Sequence, residues 1–238
     1  MKNIFDLCVL RFSLFPPSKI MTLQSPTPLE KRDDLLADKV VKSLQDRHFE
    51  AYYCKTGDEA VAKVLSLITE KESVTWGGSM TLETIGLTKR LHECGQYDVL
   101  DRDKTSSPAE KHEAMRKAFF CDNYLTSVNA ISEDGQLVNV DGNGNRVAAI
   151  AFGPKHVIVV AGMNKVVKTL DDAISRAKNH ASPINAQRVP NITTPCRSTG
   201  ACEDCKSPDS ICTYIVTTRI SRPPGRIKVI LVGETLGF

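Results

Sequence analysis

An α/β fold, with a mainly parallel sheet flanked by helices, is what the amino-acid sequence predicts, and three observations predict it. The first hundred residues repeat a helical apolar pattern followed by a short apolar run three times over, which is the order of βα units. A buried strand, residues 157–160, stands near the middle with no polar residue in it. The chain has 238 residues, 41% hydrophobic and 25% charged, close to ordinary globular usage and enough for one large domain or two small ones.

The elements follow in order. Residues 29–49 read as an amphipathic helix carrying Leu29, Leu36, Val40 and Leu44, with a strand at 51–54 behind it. A second helix carries Val61, Val64, Leu65 and Ile68 and leads to a buried strand, Ser73–Trp76. A third, over residues 80–93, stops near Gly95, a residue suited to a left-handed C-terminal cap, and residues 97–100 form the next strand. Ser107-Pro108-Ala109-Glu110 combines a capping box with proline at the first helical position, opening a helix to about Cys121. Residues 126–131 and 136–140 are strands joined through Glu133-Asp134-Gly135, a hairpin signal. A short helix over 146–152 ends at Gly153-Pro154. A helix from Thr169 to Lys178 follows, and Ser182-Pro183 starts another. Residues 190–212 form a cysteine-rich loop, and strands Tyr214–Thr218 and Ile227–Val232 close the chain.

Residues 1–28 are expected to be a flexible arm ahead of a single domain at 29–238, or to include a mis-assigned start, with Met21 as the alternative to Met1. Asp6 and Arg11 interrupt the apolar residues there and no small-residue cleavage site follows, so a secretory signal is not expected. No apolar run reaches the ~20 residues that span a bilayer. A net charge of +3 is too small to argue for nucleic acid. Eight cysteines without an export signal point to a reducing, cytoplasmic setting.

Three constellations are candidates for chemistry. In Trp76-Gly77-Gly78-Ser79-Met80-Thr81, glycines between strand and helix would expose N–H groups to a phosphate or carboxylate, with Ser79 and Thr81 adding hydroxyls; a tight turn capped by Ser79 is the competing explanation. Asp141-Gly142-Asn143-Gly144-Asn145-Arg146 packs amides, a carboxylate and a guanidinium into one loop, and Asn164 and Lys165 follow the strand at 157–160. Ligands of open α/β sheets bind beyond the C-terminal ends of strands, where Arg146 suits bidentate contact and Lys165 a point charge. Third, Cys196-x5-Cys202-x2-Cys205-x6-Cys212 sets four thiols in seventeen residues, a candidate zinc or iron–sulfur site, with redox-active thiols and disulfides as alternatives. Trp76 is expected in the core and the scattered Cys8, Cys54, Cys94 and Cys121 in apolar surroundings. Asp122 and Glu83 are candidate acid/base groups that nothing separates from the other carboxylates, and no nucleophile–base pair can be assigned.

Taken together, these segments resemble the LUD (lactate-utilisation) domain family, specifically proteins like its C subunits. The resemblance rests on Gly77-Gly78-Ser79, Ser127-Val128-Asn129-Ala130-Ile131, Val138-Asn139-Val140-Asp141-Gly142-x-Gly144-Asn145-Arg146-Val147-Ala148, Phe152-Gly153-Pro154 and Gly162-x-Asn164-Lys165. Pro195-Cys196-x3-Gly200-x-Cys202-x-Asp204-Cys205-x-Ser207-Pro208 places it with a cysteine-containing subset. The resemblance covers residues 29–238 and implies a fold like the NagB/RpiA/CoA transferase group. It implies a component of lactate or organic-acid oxidation that binds a small anion and works alongside iron–sulfur oxidoreductase subunits. The alternative is an isomerase- or transferase-type enzyme for a sugar phosphate or CoA ester, its cysteines structural or unmetallated. Expected ligand contacts are Gly77, Gly78, Ser79, Thr81, Asn129, Asp141, Gly142, Gly144, Asn145, Arg146, Asn164 and Lys165, with Asp141 and Lys165 as candidate acid/base groups.

Overall fold

A computed structural model describes residues 25–238; the expectations for the N-terminal arm and its start lie outside the described residues, apart from the last few positions. There, Thr27 accepts from the backbone N–H of Glu30, whose carboxylate in turn accepts from the Thr27 backbone, so helix α1 starts at Pro28 behind a capping box.

In chain order the elements are α1 (Pro28–Asp46), β1 (Glu50–Cys54), α2 (Gly57–Ser66), β2 (Ser73–Trp76), α3 (Met80–Thr84), α4 (Leu87–Cys94), β3 (Asp98–Leu100), α5 (Pro108–Lys117), β4 (Asn123–Thr126), β5 (Ala130–Ser132), β6 (Leu137–Asp141), α6 (Asn145–Ala151), β7 (His156–Gly162), β8 (Val166–Val167), α7 (Leu170–Arg176), α8 (Ser182–Ala186), α9 (Pro195–Thr199), β9 (Tyr214–Thr218) and β10 (Ile227–Val232). Six strands form an all-parallel sheet in the order β1-β10-β7-β4-β2-β3. The predicted α/β class with helices on both faces is therefore the fold.

Strands β7 and β10 lie side by side in the interior of that sheet, paired from Ile227–Val157 to Val232–Gly162, and their apolar runs feed both cores. Val157, Val159 and Ala161 point with Val229 and Leu231 towards α1 and α6. Ile158 and Val160 point with Ile230 and Val232 towards α2, α3 and α4. A strand buried on both faces has no polar face to alternate with, which is why its sequence does not alternate.

A second sheet, β8-β5-β6-β9, was not anticipated. The expected strand over 126–131 is two strands in two sheets: β4 belongs to the large sheet, and β5 starts the small one after a turn at 127–129. The β5–β6 hairpin predicted from Glu133-Asp134-Gly135 is present, and β9 pairs antiparallel with β6 instead of joining the large sheet. The predicted single helix over 80–93 is broken at Gly86, whose φ of 68° is left-handed and cannot continue an α-helix. The predicted helix start at Ser182 lies inside a continuous helical run. A π-helical turn, Ala177–Ala181, joins α7 to α8 and lets the helix widen ahead of Pro183, which has no N–H to donate.

Candidate functional site

The central strands β2, β4, β7 and β10 are neighbours, and the loops that leave their C-terminal ends gather into one cleft. Residues 78–81 follow β2, residues 127–129 follow β4, Lys165 follows β7 and Gly237-Phe238 follow β10. Arg146 from α6, and Ser182, Asn185 and Arg188 from α8 and just beyond, form the far wall.

Lys165 is the centre of the cleft. Its side chain is buried, with 2% of the residue exposed, yet among the described residues no carboxylate forms an ion pair with it. Its Nζ instead donates to Thr81 Oγ1 at 2.9 Å and Ser127 Oγ at 3.0 Å, and those two hydroxyls lie 3.3 Å from each other. Burial, aided by repulsion from Arg176 and Arg146, pulls the Lys165 pKa down to about 7. A lysine at that value is divided between ammonium and free amine near neutral pH, the condition for an acid/base or nucleophilic amine. The Gly237 backbone passes so close that an added Cβ would sit 2.8 Å from Thr81 Oγ1 and 3.4 Å from Lys165 Nζ.

Arg146 is largely occupied with holding the protein together. Its guanidinium donates to the Ser127 carbonyl (3.1 Å), to Asn129 Oδ1 (3.1 Å) and to the Val140 carbonyl, tying the end of β4 to the end of β6. Asn129 Oδ1 also accepts from the Val140 N–H at 2.9 Å. Arg176 adds a second staple, donating to the carbonyls of Asn129 and Asn164. Against Gly77 pack the Tyr124 hydroxyl and the Arg146 stem, which an added Cβ would approach to 2.7 and 3.2 Å, so only glycine fits there.

The expected site residues thus separate into three groups. Gly78, Ser79, Thr81, Asn129, Arg146 and Lys165 come together in the cleft, with Gly77 directly behind it. Asp141 does not stand there as a base. Its carboxylate accepts from the backbone N–H groups of Arg146 (3.0 Å), Val147 (3.1 Å) and Gly144 (3.3 Å), which makes it the cap of α6. Gly142 packs against the Ile211 backbone, while Gly144 and Asn145 line a different hollow beside Tyr214 and Phe119. Asn164 is turned to the last residues, accepting from the Leu236 N–H and donating to the Gly237 carbonyl. Sequence reasoning missed Ser127, Arg188 and the closing Gly237-Phe238. Ser127 lay inside a motif already noted, whereas nothing near Arg188 or Phe238 in the chain signals that they face Lys165.

Asp122 serves β2, accepting from the Ser73 N–H (2.9 Å) and hydroxyl (2.7 Å) and pairing with Lys155, so its acid/base candidacy ends there. Trp76 is core, as expected. Cys196, Cys202, Cys205 and Cys212 are free thiols that line one hollow together with Thr194, Ser182 and Ile211. Ser182 and Ile211 also line the Lys165 cleft, so the two cavities share a wall. Among the described residues no group of three or more His, Cys, Asp or Glu side chains is arranged to hold a metal ion: the four sulfurs face one hollow without closing on one centre. No described helix is long and apolar enough to cross a membrane.

The family model for the LUD domain matches residues 37–232. No curated protein matches the chain. Among solved structures it is similar in fold to a DUF162 family protein from Deinococcus radiodurans, with a TM-score of 0.50 and 14% identity over 84% of this chain and 98% of that one. It is more distantly similar to ribose 5-phosphate isomerase A from Methanocaldococcus jannaschii, with a TM-score of 0.33 and 15% identity over 48% of this chain and 55% of that one.

Proposed function

Because the chain belongs to the LUD domain family, we propose that it is a component of lactate or related organic-acid oxidation and that its cleft holds the small carboxylate. One observation carries this reading: a buried lysine with no carboxylate partner among the described residues, faced by two hydroxyls and walled by arginines, at the C-terminal ends of the central strands. A buried ammonium is costly without a counter-charge, so an anionic guest would complete the site. Arg188 is the more available of the two cleft arginines. Among the described residues its side chain pairs with Asn185 Oδ1 at 3.3 Å and Glu83 at 3.8 Å, and its guanidinium lies over the Phe238 ring.

With Lys165 near pKa 7, the ammonium that attracts an anion is present below that pH and lost above it. L-lactate and pyruvate are therefore expected to raise the melting temperature most at pH 6, with the shift falling several-fold by pH 8.5. Thermal denaturation against hydroxy acids, sugar phosphates and CoA esters checks the reading. A response to sugar phosphates or CoA esters alone would favour the isomerase- or transferase-type alternative. That alternative has lost Asp141, the base expected for it, to the helix cap.

The redox part of the proposal rests on the hollow next door. Four thiols are the donor set that zinc and iron–sulfur clusters take, and Cys196, Cys202, Cys205 and Cys212 would hold such a group if the loop tightened around it. An iron–sulfur group there would carry electrons towards partner iron–sulfur subunits; zinc would only brace the loop. Anaerobic reconstitution with ferrous iron and sulfide is expected to give a brown protein, with the colour lost in the double variant Cys202→Ser/Cys205→Ser. A colourless protein holding stoichiometric zinc would remove the redox assignment and leave the cleft's anion site standing.

A further inference from the structure

The cleft supports more than the holding of an anion. We propose that Lys165 is a nucleophile that condenses with short 2-oxo acids, forming an imine between its Nζ and the C2 carbonyl carbon, while Arg188 holds the carboxylate. This rests on the reading of the cleft as a small-carboxylate site and names the chemistry of its guest.

The geometry carries the assignment. A free amine has two hydrogens and one lone pair. Thr81 Oγ1 at 2.9 Å and Ser127 Oγ at 3.0 Å accept the two hydrogens, which leaves the lone pair as the unbonded position of the nitrogen. Both hydroxyls are buried, and neither belongs to a carboxylate that would hold the nitrogen as an ammonium. The Cβ-less Gly237 backbone lies over the same nitrogen, giving room where any side chain would intrude. Cationic Arg176 and Arg146 nearby disfavour the ammonium further, the same device that activates lysines elsewhere by placing them next to another cation.

The step balances as a simple condensation. The Nζ lone pair forms the C–N bond to C2 as the carbonyl π pair moves onto oxygen. One amine hydrogen passes to that oxygen, by way of the Ser127 or Thr81 hydroxyl, to give the carbinolamine. The C–O bond then breaks and the oxygen leaves as water with the second amine hydrogen, leaving C=N. No oxidant or reductant is consumed. L-lactate has no carbonyl, so it can occupy the cleft but cannot condense.

The test is reductive trapping of the full chain with pyruvate and sodium cyanoborohydride at pH 7.5, followed by intact-mass and peptide mass spectrometry. A single adduct of about 72 Da, the mass of pyruvate minus water plus two hydrogens, is expected on the peptide bearing Lys165. It should be absent with L-lactate, absent in Lys165→Met, and reduced at least several-fold in Arg188→Gln at the same pyruvate concentration. Melting curves with lactate and pyruvate run alongside. A pyruvate-induced rise in melting temperature with no adduct at Lys165, or adducts scattered over surface lysines with Lys165 unmodified, overturns the imine while leaving the carboxylate site intact. No thermal response to either acid and no adduct overturns both.

Discussion

Replacing Lys165 by methionine should make the protein more stable, by about 2–4 kcal/mol at pH 7, while abolishing its response to small carboxylates. The sign comes from the depressed pKa. In the unfolded chain the lysine titrates near 10.5; in the folded protein it does so at about 7. Between those values the unfolded chain binds a proton that the folded one does not, so stability rises with pH across that window. The penalty is complete below pH 7 and disappears as pH climbs past 10. Methionine keeps most of the apolar stem, removes the titrating group, and leaves Thr81 and Ser127 to bond each other across their 3.3 Å separation. The stabilising effect of Lys165→Met should therefore be largest at pH 6–7 and shrink towards zero near pH 10, read as urea midpoints across that range. A variant less stable than the parent at pH 7 would mean that the lysine is accommodated without strain, and the case for a site kept at the expense of stability would fall.

Arg146→Ala should act in the opposite direction, costing about 3–5 kcal/mol and lowering the melting temperature by roughly 10 °C. Three acceptors, Ser127 O and Asn129 Oδ1 in the turn after β4 and Val140 O in β6, lose their donor together, and each is buried or nearly so. The Gly77 turn, which packs on the arginine stem, loses its support as well. Arg146→Lys should recover only a small part, because a single ammonium cannot reach acceptors that a planar fork spans. Since the same contacts fix Ser127 beside Lys165, ligand responses should fail in both variants even at temperatures where they stay folded. Arg146→Ala with parental stability would show that the guanidinium is there for a ligand and not for the frame.

How much of this was legible in the chain differs from element to element. The run at residues 157–160 announces a strand buried on both faces, because only such a strand lacks a polar side, and it became the centre of the sheet. The Asp141–Arg146 run was recognisable as special but its division of labour was not. A carboxylate followed by Gly-x-Gly-x reads equally as a catalytic base or as a helix cap, and the choice depends on where three backbone N–H groups point. The strand expected over 126–131 failed for a related reason. Residues 126–131 read as one strand, and nothing local says that the turn inside it leaves one sheet for another.

Sequence alone determined the class of fold, the family, the short-range caps and turns, and the fact that glycines, a lysine and an arginine cluster at strand ends. The family shows in the motifs that resemble it; the rest are consequences of periodicity and backbone conformation, which neighbouring residues decide among themselves. Only the tertiary structure decided that Lys165 is buried with no counter-charge among the described residues, that Ser127 and Arg188 share its cleft, and that the cysteine hollow borders it. Each of those depends on distances between residues tens of positions apart in the chain, and desolvation, which sets the lysine's charge, is a property of everything packed around it and not of the residue itself.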